Sequence, residues 1–116
     1  MVITQEEKII ETRKSLSIEL CNNFIKRLHP EQKKEIKISA IIAIKNLIKE
    51  SEVDDTILIN CLVDTITDPN KEVRRWVIRT IKEVANPLIT ELLQSKLLEK
   101  EIKKEIKNDI NAALKN

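Results

Sequence analysis

The chain has 116 residues, with 21 Lys and Arg against 19 Asp and Glu, one His and a formal net charge of +2. It contains no Gly, and its aromatic residues are one Trp and one Phe. Phosphate-binding loops and tight hairpins usually need Gly at positive φ, so this composition excludes Gly-rich nucleotide motifs and disfavours β-hairpins. The near balance of charge does not support bulk nucleic-acid binding, and the length fits one domain, residues 1–116.

The cysteines and the hydropathy predict an intracellular location. Cys21 and Cys61 lie 40 positions apart in apolar surroundings, a spacing that matches neither a metal site nor a disulfide framework. We therefore expect two buried, reduced thiols. No apolar run is long enough for a membrane span, and residues 1–8 lack the apolar core of a signal peptide. These features predict a cytoplasmic protein that does not enter membranes.

The first predicted helix begins directly after Thr4, because Thr4 and Glu7 form a T-x-x-E capping box. Its apolar residues keep helical spacing almost to Pro30, and both a continuous helix and a break near residues 15–17 are compatible with the pattern. Pro30 fits the first turn of a second helix, predicted at about residues 30–49.

The remaining helices are each predicted from a polar joint or from a proline that fits a first helical turn. Asp54 or Asp55 caps the third, Asp68-Pro69-Asn70 opens the fourth, and Asn86-Pro87 opens the fifth. The expected bounds are about residues 55–66, 69–85, 87–97 and 102–115. No segment sustains the period-two alternation of a β-strand.

A short string recurs at the start of the second, fourth and sixth helices: Lys33-Lys34-Glu35-Ile36, Asn70-Lys71-Glu72-Val73 and Lys103-Lys104-Glu105-Ile106. The copies lie 37 and 33 residues apart, a period typical of stacked helical repeats. We predict an all-α fold, a right-handed α-solenoid of about three hairpins at residues 17–49, 55–85 and 87–115, after a capping segment at 1–16. Each hairpin pairs a shorter A helix with a longer B helix.

The segment 68–81, which reads Asp-Pro-Asn-Lys-Glu-Val-Arg-Arg-Trp-Val-Ile-Arg-Thr-Ile, resembles the inner helix of a HEAT repeat. It is most similar to the HEAT-like repeats of phycobilin-lyase relatives, although Thr80 and Ile81 replace the usual Ala and Leu. The resemblance implies a concave layer of B helices and a structural role for Arg74, which would bond Asp68 at the turn. The family includes scaffolds, transport receptors, chaperone-like factors, lyase subunits and some DNA-glycosylase folds, so it does not select one function.

Aligning the B helices at about 100° per residue assigns a direction to each position. One column should face the core: Ile36, Ala40, Ala43 and Leu47, then Val73, Val77, Thr80 and Val84, then Ile106, Ile110 and Ala113. The adjacent column runs Ile41, Ile78, Asn111, and the polar last member is typical of a terminal cap.

The opposite flank is apolar only in the first copy, at Ile38 and Ile42. Two explanations are open. Either the N-terminal segment covers this flank through Val2, Ile3, Ile9 and Ile10, or the flank is a docking patch for a partner or for a second copy of the chain.

Three aligned columns are basic: Lys34, Lys71 and Lys104; Lys37, Arg74 and Lys107; and Lys45, Lys82 and Lys115. We interpret the column that contains Arg74 as mainly structural. The other two should form ridges across the B helices, either as a contact surface for an acidic partner or as a solvated surface. Trp76 is either a plug between repeats or an aromatic anchor for a partner.

We predict a non-enzymatic protein-binding module, a small adaptor or scaffold that needs no cofactor or metal, because no catalytic constellation surrounds the single His29. Nucleic-acid binding, with Trp76 stacked on a base, is one alternative. An accessory lyase or chaperone subunit for a tetrapyrrole protein is another, and a homodimer is compatible with the apolar second helix. The predicted partner-binding residues are Arg75, Trp76, Arg79, Lys82, Lys34, Lys45 and Lys71.

Overall fold

The computed structural model describes residues 4–50 and 55–115. In these two ranges the chain forms six α-helices and one 3₁₀ helix and contains no strand, which confirms the all-α class. The elements are α1 (Gln5–Arg27), α2 (Lys34–Glu50), α3 (Asp55–Asp64), the 3₁₀ helix η1 (Thr65–Thr67), α4 (Lys71–Val84), α5 (Pro87–Leu97) and α6 (Lys104–Leu114).

The helices lie in two layers. In one layer α4 packs between α2 and α6, and in the other α3 packs between α1 and α5. Contacts between the layers join α1 to α2, α3 to α4 and α5 to α6. We call α1, α3 and α5 the A layer and α2, α4 and α6 the B layer, and the body measures 52 × 28 × 25 Å.

The first helix is continuous. The Thr4 hydroxyl accepts a hydrogen bond from the backbone N–H of Glu7 at 3.2 Å, as the capping box predicts. The helix then runs without a break from Gln5 to Arg27. The expected boundary between a capping segment and the first hairpin, at residues 16 and 17, therefore falls inside one helix.

The second helix begins later than predicted, because Pro30 lies in a turn and not in a first helical turn. The backbone N–H of Glu31 donates to Nδ1 of His29 at 3.2 Å, and the N–H of Gln32 donates to the carbonyl of His29 at 2.9 Å. These bonds hold the chain away from helical geometry, and α2 starts at Lys34.

The fourth helix also starts after its proline. Asn70 is the N-cap, and its side chain accepts from the N–H of Val73 at 3.1 Å. Asp68 accepts from the N–H of Asn70 at 2.8 Å, and Pro69, expected in the first turn, stays outside the helix. At the fifth helix Asn86-Pro87 has the predicted role, with Asn86 as N-cap and Pro87 in the first turn.

The core lies between the layers, and the predicted core column contributes to it. Most members are buried: Ala40, Val73, Val77, Thr80, Ile106, Ile110 and Ala113. Ala43, Leu47 and Val84 are half-buried. Ile36 is the exception at 37% exposure, because α2 is the edge helix of its layer and has α4 on one side only.

The flanking columns follow the predicted gradient. Ile41 is fully buried, Ile78 is half-buried and Asn111 is exposed. Ile38 and Ile42 are half-buried, and Ile9, one of the residues expected to cover them, is 52% exposed. Val2, Ile3 and the side chain of Ile10 lie outside the described part of the chain.

A buried ion pair joins α2 to the turn that precedes α4. Lys37 is 2% exposed and Asp68 is 5% exposed, and Nζ of Lys37 lies 2.9 Å from Oδ2 of Asp68. The same ammonium donates to the carbonyl of Pro30 at 2.7 Å. Removing charge from water is costly, so both groups depend on these partners for their burial.

Arg74 makes the corresponding link from α4 to α6. Its Nη1 donates to the carbonyl of Asp68 at 2.8 Å, its Nη2 to Glu105 at 2.8 Å and its Nε to Asp109 at 2.7 Å. The side-chain bond to Asp68 that the HEAT resemblance implies is therefore made by Lys37, and Arg74 binds the backbone carbonyl of Asp68 instead. The structural interpretation of this column holds for Lys37 and Arg74, whereas Lys107 is exposed.

Replacing Lys37 by Met should lower the free energy of unfolding by about 3 kcal/mol, because the carboxylate of Asp68 is left buried without its cation. Lys107→Met is the matched control, since Lys107 occupies the same column at an exposed site, and it should change stability by less than about 0.5 kcal/mol. Urea denaturation measures both. Equal effects of the two substitutions would show that the buried pair does not stabilise the fold.

The C-cap of α4 is a second local determinant of stability. Ala85 has φ 49° and ψ 43°, the left-handed conformation that usually belongs to Gly. Its N–H closes the helix by donating to the carbonyl of Ile81 at 3.1 Å. A chain without Gly therefore places a Cβ where this conformation costs roughly 1–2 kcal/mol.

Ala85→Gly should raise the free energy of unfolding by about 0.5–1 kcal/mol, because the relief at positive φ exceeds the added entropy of the unfolded chain. Ala112→Gly, the same change at an exposed position within α6, should lower it by about 0.5–1 kcal/mol. Thermal melts followed by circular dichroism give the two signs. A lower melting temperature for Ala85→Gly would contradict this account of the cap.

Candidate functional site

Four cations follow one face of α4. Lys71, Arg75, Arg79 and Lys82 are all exposed. Their spacing of four, four and three residues keeps them within an arc of about 80° and along a length of about 16 Å. We call these four residues the basic row.

The acidic residues of α4 are used in pairs with α2. Glu72 binds the ammonium of Lys34 at 2.9 Å, and Glu83 lies 3.6 Å from Lys45 and 3.3 Å from Lys49. The hydrogen bond to Glu72, and then its charge, raise the pKa of Lys34. The hydrogen bond from Lys49, followed by the charge of Lys45, lowers the pKa of Glu83. Both carboxylates of α4 therefore bind lysines of α2 and do not neutralise the cations of the basic row.

The acidic residues of α6 are used in the same way. Glu105 and Asp109 both bind Arg74, at 2.8 and 2.7 Å. Every Asp and Glu of α4 and α6 is thus paired across the B layer. The side chains of all four residues in the basic row lack an ion-pair or hydrogen-bond partner among the described residues.

Trp76 lies beside the row, half-buried and packed against the core. The guanidinium carbon of Arg79 lies 5.1 Å from the centroid of the indole ring, within the range of a cation–π interaction. This contact holds Arg79 over the ring and covers part of the indole. The packing favours the interpretation of Trp76 as a plug whose exposed edge adjoins the basic row.

The structure brings five of the predicted partner-binding residues together on α4: Lys71, Arg75, Trp76, Arg79 and Lys82. The other two, Lys34 and Lys45, lie on α2 and bind carboxylates of α4. These two lysines therefore connect neighbouring B helices at the flank of the row. Sequence alignment placed four of the seven, Lys34, Lys45, Lys71 and Lys82, on the basic ridges, but it did not show which cations the fold neutralises.

A second feature, which sequence reasoning missed, is a cleft of about 520 Å³ on the A layer. Its mainly apolar wall is formed by residues from α1, α3, η1 and the turns that precede α2 and α4, among them Cys21, Ile25, Leu28, His29, Ile57 and Cys61. The spacing of Cys21, Ile25 and the C-cap residue Leu28 puts them on one side of the end of α1, but only the tertiary structure shows that α3 lies opposite them.

The two thiols of this cleft differ in environment. Cys61 is 6% exposed, and Cys21 is half-buried. Burial raises the pKa of the Cys61 thiol to about 12, and the neighbouring Cys21 thiol adds to the shift. Cys61 is consequently protonated at neutral pH, while Cys21 is the more accessible of the two.

Residues 4–50 and 55–115 contain neither a metal-binding cluster nor a membrane-spanning helix. No cluster of three or more His, Cys, Asp or Glu side chains there is arranged to hold a metal ion. No helix in these ranges combines the length and the apolar character of a membrane span. Comparison of the chain with protein-family models, with curated proteins and with solved structures finds no match.

Proposed function

We propose that the chain is a non-enzymatic adaptor whose B layer binds an acidic protein surface through the basic row. The observation that carries this proposal is the unequal use of charge: the carboxylates of α4 and α6 are all paired, whereas no cation in the row has a carboxylate partner among the described residues. Uncompensated cations attract an acidic partner and raise its rate of association. The two ordered layers also support our proposal of a HEAT-like solenoid of three hairpins.

The spacing of the row defines the partner that would fit it best. A partner helix with carboxylates spaced by four, four and three residues presents one acid to each cation of the row. Arg75 and Arg79 are the central pair, and Arg is enriched among the residues that dominate binding energy. The stacking of Arg79 on Trp76 restricts one of these side chains before binding and so reduces the entropy lost on association.

The geometry of Trp76 favours a protein partner over a nucleic acid. Stacking on a base requires an open aromatic face. Trp76 is half-buried against the core, and Arg79 lies over its ring. The basic row therefore provides charge without an open stacking platform.

The test uses Trp76 as the reporter, since it is the only Trp in the chain. The probe is a stapled helical peptide with Glu at positions i, i+4, i+8 and i+11, titrated against the protein while Trp76 emission is followed. The double charge reversal Arg75→Glu and Arg79→Glu should weaken binding at least about tenfold, because it places like charges opposite one another. Lys26→Glu and Lys100→Glu together are the matched control, because both lysines are exposed and lie outside the row.

Circular dichroism should show unchanged helicity in both double variants. Equal binding by the wild-type protein and by the Arg75 and Arg79 variant would refute the proposal. A labelled single-stranded oligonucleotide, tested in parallel, distinguishes the alternative. If it binds more tightly than the peptide, with an affinity that falls steeply as salt rises, the row is a nucleic-acid site.

A further inference from the structure

The cleft on the A layer brings together two thiols that lie far apart in the chain. Cys21 projects from α1 and Cys61 from α3, and both line the same cavity. The two helices are packed neighbours, and both cysteines are free. Burial raises the pKa of the Cys61 thiol, and the nearby Cys21 thiol adds to the shift. Two thiols that line one cleft between packed helices are placed for direct reaction with each other.

The surroundings favour thiol chemistry over metal binding at this position. His29 also lines the cleft, but the described residues contain no group of three potential ligands arranged for a metal ion. The apolar wall keeps Cys61 away from water, whereas Cys21 is partly accessible. A reagent in solution therefore meets Cys21 first, because Cys61 is the more buried of the two thiols.

We propose that Cys21 and Cys61 are a reactive dithiol, which low-molecular-weight disulfides such as glutathione disulfide oxidise to an intramolecular disulfide between α1 and α3. In the first step the Cys21 thiolate attacks one sulfur of glutathione disulfide. The sulfur–sulfur bond breaks, and one glutathione thiolate leaves and takes up a proton. Cys21 is then joined to the other glutathione as a mixed disulfide.

In the second step the Cys61 thiolate attacks the sulfur of Cys21 and releases the second glutathione, which is also protonated. Two protein thiols have then lost two electrons and two protons, and one glutathione disulfide has been reduced to two glutathione molecules. Cys61 is the slower partner, because burial raises its pKa to about 12 and keeps its thiolate scarce. Cys61 and the mixed disulfide on Cys21 share one cleft, so the high effective concentration of the Cys61 thiol offsets the scarcity of its thiolate.

The bond would link α1 to α3 across 40 positions of sequence, a span that contains all of α2. It would restrict the unfolded chain and so stabilise the A layer. The basic row lies on α4, in the other layer, and shares no residue with the cleft. The dithiol therefore does not depend on the proposed binding function, and either can fail without the other.

The experiment compares the native chain with the urea-unfolded chain in glutathione redox buffers. After acid quenching, intact-mass spectrometry distinguishes the disulfide, which has lost two hydrogens, from glutathione adducts and from the reduced form. The equilibrium constant for the internal disulfide should be at least about tenfold larger in the native chain than in urea, because the fold holds the thiols together. Cys61→Ser should stop at a single glutathione adduct on Cys21.

The oxidised wild-type protein should also melt at a higher temperature than the reduced protein, whereas Cys21→Ser should melt at the same temperature in both buffers. An equilibrium constant no larger in the native chain than in urea would overturn the proposal. So would native products that are only glutathione adducts or disulfide-linked dimers, or the absence of any reaction. Because the decisive comparison uses the wild-type chain, it does not depend on whether the variants fold.

Discussion

The stability of the B layer depends on buried cations that are neutralised by carboxylates of the next B helix or of the turn before it. Lys37 of α2 binds the carboxylate of Asp68, which directly precedes α4. Arg74 of α4 binds Glu105 and Asp109 of α6. Burial of a charge is costly unless a partner of opposite sign is held in place. Each cation therefore fixes the position of the next B helix relative to the helix that carries the cation, in addition to any contribution from apolar packing.

The same pattern of pairing produces the candidate binding surface. Residues at the sides of the B helices carry opposite charges and face one another, so Lys34, Lys45 and Lys49 bind Glu72 and Glu83. The basic row lies between these paired flanks, on the face of α4 that points away from its neighbours. A nearly neutral chain, with a net charge of +2, can thus present a locally cationic surface because its acids are used internally.

Much of the fold was predictable because it depends on local patterns. The period of apolar residues revealed six helices, and the capping residues Thr4 and Asn86 located two helix starts correctly. The predictions at Pro30 and Pro69 were wrong because hydrogen bonds to His29 and Asp68 held each proline in a turn. Proline is compatible with a first helical turn, but compatibility does not decide between a turn and a helix.

The site was only partly predictable, because it depends on contacts between distant residues. Alignment of the repeats identified the basic ridges and the structural column. It could not show that Lys37 binds Asp68 or that Glu72 and Glu83 face α2, since those contacts follow from how neighbouring helices are rotated and shifted. The juxtaposition of Cys21 and Cys61 in one cleft has the same origin, since no spacing rule relates residues on two different A helices.

The one-directional order of the buried cations has a consequence for cooperativity. Loss of α6 would leave the guanidinium of Arg74 without its carboxylates, so fraying of α6 destabilises α4. Arrays of helical pairs are coupled mainly through nearest-neighbour interfaces, and an ionic term added to each interface makes partial unfolding less favourable. Lys107, the third member of the column, is exposed and has no such partner among the described residues. Opening of the B layer therefore starts most easily at α6, an edge helix that has α4 as its only neighbour within that layer.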